Sequence, residues 1–90
     1  MTGRVLVCEW YPMDAVRAAL PQAERAAVAA GGPGVAALLV SPDSPVTAAD
    51  IARMPDLRVI ATASTGVDHI DVEAAAGAGV QVRDAGDYCA

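Results

Sequence analysis

The 90-residue sequence contains no lysine, no asparagine and no phenylalanine. Without lysine there is neither a phosphate-gripping P-loop nor Schiff-base chemistry. All six cations are arginines (Arg4, Arg17, Arg25, Arg53, Arg58 and Arg83), scattered along a chain of net charge −5. No basic stripe exists to neutralise phosphates, so nucleic acid is excluded as a partner. Long apolar runs are missing too. The longest, Val35 to Val40, is far below the ~20 residues that cross a bilayer, so no membrane partner is expected. The N-terminus leads directly into an apparent strand, without a signal peptide's apolar region, which makes a cytoplasmic protein the expectation. Cysteine is limited to Cys8 and Cys89, with no CxxC pair and no histidine at ligand spacing. Free thiols are expected, with no disulfide framework and no metal site.

Only three aromatics, Trp10, Tyr11 and Tyr88, are available for packing, against 21 alanines. Small aliphatic residues must therefore build the core. With 54% hydrophobic and 19% charged residues the composition is that of a globular chain, not a disordered one. Its length allows one small domain that buries little more than ~60% of its unfolded surface.

Strand and helix signals alternate. Arg4 to Glu9 is a short, nearly continuous apolar run, as expected of a strand buried on both faces. Pro12 suits a first helical turn, and Met13, Val16, Arg17 and Leu20 recur at helical spacing until Pro21. The alanine-rich stretch Gln22 to Ala30 reads as a second helix, ended by Gly31-Gly32-Pro33-Gly34. A buried strand, Val35 to Val40, follows. Thr47 can cap a helix over Ala48 to Met54, and Leu57 to Thr62 forms the next strand. After a loop from Ala63 to Ile70, Asp71 can cap a helix that stops at Gly79. Val80 to Arg83 is a last short strand, and Asp84 to Ala90 reads as a loop. This alternation predicts an α/β fold, a doubly wound and mostly parallel sheet of about four strands. Ligands of such sheets bind outside the carboxyl ends of the strands, so the loops at Trp10-Tyr11, Ser41 to Pro45 and Ser64 to His69 should share one rim.

Gly32-Pro33-Gly34-Val35-Ala36-Ala37 matches G-x-G-x-x-A on paper. The fingerprint works only when its glycines follow a strand and open a helix, whereas here a helix precedes and a strand follows. A helix stop and turn is the better reading. His69, the sole histidine, has Asp68, Asp71 and Ser64 near it in sequence. Asp71 is needed as a helix cap, however, and close neighbours in a tight loop seldom converge on one reacting atom, so His69 is expected to order the loop or sit on the rim. Ser64-Thr65-Gly66 carries more information. A glycine after a buried strand lets successive backbone N–H groups point outward and cradle a carboxylate or phosphate.

The stretch from Pro55 through Ile70, then Asp71-Val72-Glu73-Ala74-Ala75 and Ala78 to Val82, resembles the D-isomer-specific 2-hydroxyacid dehydrogenase family. The order is specific: a proline-led strand, a glycine loop with a following aspartate, a second aspartate opening an alanine-rich helix, then glycine and a short strand. Ala37 to Val40 and Pro45-Val46-Thr47 resemble the preceding strand and helix start. Val35 to Tyr88 carries the likeness, while Thr2 to Gly34 agrees only in strand–helix order. The resemblance implies that residues 1–90 are part of a flavodoxin-like substrate-binding domain, cut off before the NAD-binding domain. The amides of Thr65 and Gly66, with Ser64 beside them and Trp10 and Tyr11 on the same rim, would contact a small 2-hydroxy or 2-oxo acid. NAD or NADP would serve the full-length parent, expected to be a homodimer, with none bound by this chain. The family's catalytic arginine, glutamate and histidine lie downstream, so no catalytic residue is assigned here and His69 is not the catalytic histidine. One departure stands out. The family places a further strand between the first helix and Val35, and Gln22 to Gly34 shows no apolar run for it, so that edge strand is expected to be missing or replaced by helix, leaving the domain incomplete.

Two other readings are compatible with these residues: a stand-alone carboxylate-binding or oligomerisation module without catalysis, and a flavin carrier. The Ser-Thr-Gly segment of a flavin carrier would follow the first strand, not a later one. Colour separates them, since a flavin carrier is yellow. The glycine loop itself yields a sharper test. A side chain at position 66 would fill the anion's space or oppose the backbone angles that aim the amides, whereas Thr65→Ala keeps both donors. In a full-length parent, Gly66→Val is expected to raise KM and to lower kcat/KM strongly, with Thr65→Ala mild. Kinetics on both variants, with circular dichroism as the folding control, checks this; a folded Gly66→Val protein with parental constants would show the loop to be only a turn.

Overall fold

A computed structural model describes residues 3–7, 13–41, 44–62 and 69–83. Five strands form one sheet: β1 (Arg4–Val7), β2 (Ala23–Arg25), β3 (Val35–Val40), β4 (Val59–Thr62) and β5 (Gln81–Arg83). They lie in the order β2-β1-β3-β4-β5, and every pairing is parallel. This is the doubly wound order in which the chain steps outward from β1 to β2, then crosses back to β3 and continues the other way. The α/β, flavodoxin-like fold class expected from the sequence is the one observed, with five strands where about four were expected.

The apolar runs become strands because both of their faces are covered. Side chains alternate across a sheet, so Leu6, Leu38, Val40 and Ile60 point one way and Val5, Val7 and Ala37 the other. The first set packs against α2 (Ala48–Arg53), α3 (Val72–Gly77) and their flanks, through Val46, Ile51, Met54, Leu57, Ile70, Ala75 and Val80. The second meets α1 (Met13–Ala19) through Met13 and Val16, with Leu20 following.

Local signals set the helix ends as the residues suggest. Thr47 caps α2 by accepting from the Asp50 N–H, and the Asp50 carboxylate accepts from the Thr47 N–H in return. Asp71 caps α3 by accepting from the Ala74 N–H at 3.0 Å. The end of α3 turns through Gly79, whose φ of +76° is a conformation that favours glycine.

The stretch Gln22 to Ala30 departs from expectation. Instead of a helix it contains the edge strand β2 and a single 3-10 turn, Val28–Ala30. Val5, Leu6 and Val7 pair with Ala23, Glu24 and Arg25, and the Ala26 N–H donates to the Val7 carbonyl at 3.1 Å. The edge strand judged missing is thus present. Alanine's helix preference is a fraction of a kilocalorie per residue, whereas an unpaired edge on β1 would leave a row of backbone groups without partners. Outside the strand register, Arg4 and Glu24 reinforce the pairing with an exposed ion pair at 2.9 Å.

Two tests follow. Leu38, 1% exposed in the middle of β3, holds the larger cluster together; Leu38→Ala is expected to destabilise by ~2–5 kcal/mol, read as a lower urea midpoint with an unchanged slope. The second concerns acid. Burial works to raise the Asp50 carboxyl, but hydrogen bonds from the Thr47 N–H, the Arg53 guanidinium and the Thr47 hydroxyl outweigh it and hold the group below the usual aspartate range. A lowered folded value means that this contribution is complete above the unfolded pKa of about 3.9 and is lost as the pH falls through the folded value. Urea titrations should therefore show Asp50→Asn less stable than the parent at pH 7, with the gap shrinking in acid below about pH 4.

Candidate functional site

Because the strands are parallel, the carboxyl ends of β1, β3 and β4 lie side by side, with Val7 paired to Leu39 and Val40 to Thr62. The reversal of winding falls between β1 and β3, the place where open α/β sheets form a crevice. Ser64, Thr65, Gly66, Trp10 and Tyr11 all belong to segments leaving this rim, and all five lie outside the described residues. The structure thus places the strand ends that carry them together, and the geometry of these five side chains is not part of it.

The described part of the rim is polar and well tied. Ser41, buried at the end of β3, meets Ser44 with 3.3 Å between the hydroxyl oxygens, and the Ser44 N–H donates to the Ser41 carbonyl at 2.9 Å. Val46 forms an isolated parallel bridge with Ile70. Its N–H donates to the His69 carbonyl at 2.8 Å, and its carbonyl accepts from the Asp71 N–H at 2.9 Å. Thr62 ends β4 with its side chain fully buried, and its Oγ1 is hydrogen-bonded to His69 Nε2 at 3.2 Å. Among the described residues no buried side-chain polar atom is left unsatisfied.

His69 therefore sits on the rim, bonded to Thr62, and the Asp71 carboxylate caps α3. Sequence reasoning placed Ser41 and Ser44 in a rim loop and did not find Thr62 as a rim residue. A hydroxyl residue at the last position of an apolar strand is a possible signal, since burial there asks for a partner. Among the described residues no group of three or more histidine, cysteine, aspartate or glutamate side chains could hold a metal ion.

The G-x-G-x-x-A segment lies at the opposite end of the sheet. Gly34 follows the 3-10 turn, immediately precedes β3 and has a φ of +91°, and its N–H donates to Asp56 Oδ2 at 2.8 Å. With an amide already bonded to a carboxylate and no helix opening after it, this segment does not fit a dinucleotide's pyrophosphate. Gly34 instead lines, with Gly3, Ala36, Asp56 and Arg58, a shallow depression of about 250 Å³ at the amino ends of the strands.

Residues 12–90 match the family model for D-isomer specific 2-hydroxyacid dehydrogenase, catalytic domain. The fold is similar to that of a protein from Polaromonas sp. JS6 66 assigned as a D-isomer specific 2-hydroxyacid dehydrogenase, NAD-binding, with a TM-score of 0.74 and 29% identity over 91% of this chain and 30% of that one. It is also similar to a Pyrococcus horikoshii OT3 protein, with a TM-score of 0.80 and 24% identity over 93% of this chain and 28% of that one. A third likeness is to 2-hydroxyacid dehydrogenase from Ketogulonicigenium vulgare Y25, with a TM-score of 0.72 and 24% identity over 91% of this chain and 29% of that one. No curated protein matches the chain. The chain spans less than a third of the length of these solved structures. The family match begins at residue 12, well before the Val35 at which the sequence likeness was drawn. With nearly its whole length matched and the parallel sheet in common, the chain belongs to the D-isomer specific 2-hydroxyacid dehydrogenase family.

Proposed function

We propose that the chain is the carboxylate-binding part of an NAD(P)-dependent oxidoreductase acting on the CH–OH group of D-2-hydroxy acids. The observation that carries this reading is the family match across residues 12–90. The strand order supports it, because the loops bearing Trp10 and Tyr11 and bearing Ser64, Thr65 and Gly66 leave adjacent strand ends at the winding reversal. In this reading the amides of Thr65 and Gly66 hold the acid's carboxylate, which is the group shared by 2-hydroxy and 2-oxo acids. Trp10 and Tyr11 face the remainder of the acid. Hydride transfer needs a dinucleotide and an acid–base group, and the described residues do not fit the former, so NAD or NADP is assigned to a full-length, homodimeric parent and the 90 residues alone are inactive.

The misfit of the glycine segment to a dinucleotide also favours a second reading, a stand-alone carboxylate-binding or oligomerisation module. No described helix is long and apolar enough to cross a membrane.

Two measurements on the 90-residue chain test these readings. NADH oxidation with glyoxylate, pyruvate or hydroxypyruvate is expected to show no turnover. Amide chemical shifts of the ¹⁵N-labelled chain are expected to move at Thr65 and Gly66 as pyruvate is added. Turnover would place the cofactor site within these residues and sink the division of labour. Unmoved shifts with all three acids would remove the carboxylate role, and a concentration-dependent dimer in sedimentation would then favour the oligomerisation module.

A further inference from the structure

We propose that the depression at the amino ends of β1, β3 and β4 binds a small aminocarboxylate, with its carboxylate at Arg58 and its ammonium group at Asp56. The depression lies at the opposite end of the sheet from the carboxyl rim, so the proposal does not depend on the carboxylate-binding reading above. It has a volume of about 250 Å³ and is lined by Gly3, Gly34, Ala36, Asp56 and Arg58. Hydrogen bonds fix its walls before any ligand arrives. The Arg4 N–H donates to the Gly34 carbonyl at 2.8 Å, the Gly34 N–H to Asp56 Oδ2 at 2.8 Å, and the Arg58 N–H to the Ala36 carbonyl at 2.9 Å. Residue 3 has no room for a side chain: its φ is +120°, and a Cβ there would lie 2.9 Å from that of Ala36.

Charge decides what fits. Asp56 gives Oδ2 to the Gly34 N–H and keeps Oδ1 for another donor. Arg4, Arg17 and Arg53 are engaged with Glu24, the Ala23 carbonyl and Asp50. The Arg58 guanidinium, by contrast, has no partner among the described residues, and it shares the recess with Asp56 without pairing to it. A simple anion drawn to Arg58 would also face the Asp56 carboxylate, and a simple cation drawn to Asp56 would face the guanidinium. Like charges brought together in this way weaken binding. A molecule with both charges meets an opposite charge at each end, and the guanidinium can take its carboxylate through two parallel N–H donors. The volume lies below the roughly 300–1,000 Å³ of drug-sized ligand pockets, which limits the ligand to a few carbons between its charged ends. Exposed charges each contribute little, so a millimolar Kd is expected.

The test uses the ¹⁵N-labelled 90-residue chain and three probes that differ in the separation of their charges: glycine, β-alanine and γ-aminobutyrate. At least one is expected to give saturable shifts at the amides of Gly34, Ala36 and Arg58, with a millimolar Kd. Acetate and ethylamine, which carry one charge each, should bind at least about ten-fold more weakly than the best probe. Arg58→Gln and Asp56→Asn should each raise its Kd about ten-fold, with the core amides of Leu38 and Ile60 at parental shifts as the folding control. Arg58 is exposed, and asparagine at 56 keeps an oxygen for the Gly34 N–H, so both variants retain the recess. If Asp56→Asn moves the core shifts, Arg58→Gln alone decides. No saturable shift with any of the three probes would overturn the proposal, as would acetate binding as tightly as the best of them, or a parental Kd in Arg58→Gln. Shifts confined to Val46 and Ile70, at the other end of the sheet, would also overturn it by placing the probe on the carboxyl rim.

Discussion

Parallel strands cannot be joined by tight hairpins, so every connection in this sheet has to leave by one end, cross a face and return to the other. That constraint shapes the whole molecule. Each crossover brings apolar residues over the sheet, which is why the strands are apolar on both sides and why a chain with three aromatics can still bury Val5, Leu6, Val7, Leu38 and Ile60 almost completely. It also divides the strand ends by role. Amino ends receive the chain from helices and turns, as at Gly34 and Asp56, and carboxyl ends release it into the loops of the rim.

The reversal between β1 and β3 then decides which loops meet. Had β2 been inserted between them, the loop with Trp10 and Tyr11 would leave the sheet one strand further from the others. The edge position of β2 keeps β1, β3 and β4 contiguous. The rim that results is held by short-range polar contacts. Ser41 with Ser44, Val46 with Ile70, and Thr62 with His69 join the exits of β3 and β4 to each other and to the start of α3. Buried hydroxyls in an interior of this kind have to find partners, and here the partners lie on neighbouring segments, so satisfying them also orients the segments.

The family likeness is physically coherent with this arrangement. A segment whose features run proline, strand, glycine loop, aspartate cap and alanine helix is a complete β-loop-α unit, Leu57 to Gly77, and in the fold it is the unit that flanks the rim. The paired ends of β3 and β4 lead into its loop, and the capped start of α3 follows it.

What the sequence determined by itself is whatever depends on neighbours a few residues apart. The Thr47 and Asp71 caps, the turn at Gly79, the apolar strands β1, β3 and β4 and the α/β alternation follow from side-chain hydrogen bonds, glycine's backbone freedom and hydrophobic runs, all local properties. The glycine segment at 32–34 was legible as a turn for the same reason. Tertiary structure decided what depends on distant partners. β2 has one buried residue, Ala23, and two exposed charged ones, so no periodicity announces it, and it is a strand only because β1 offers an edge. The bond between Thr62 and His69 likewise requires the chain to return to β4 after seven residues, which the Val46 bridge arranges from a different part of the sequence. Local chemistry specifies elements, and the pairing of edges and ends between distant segments specifies the site.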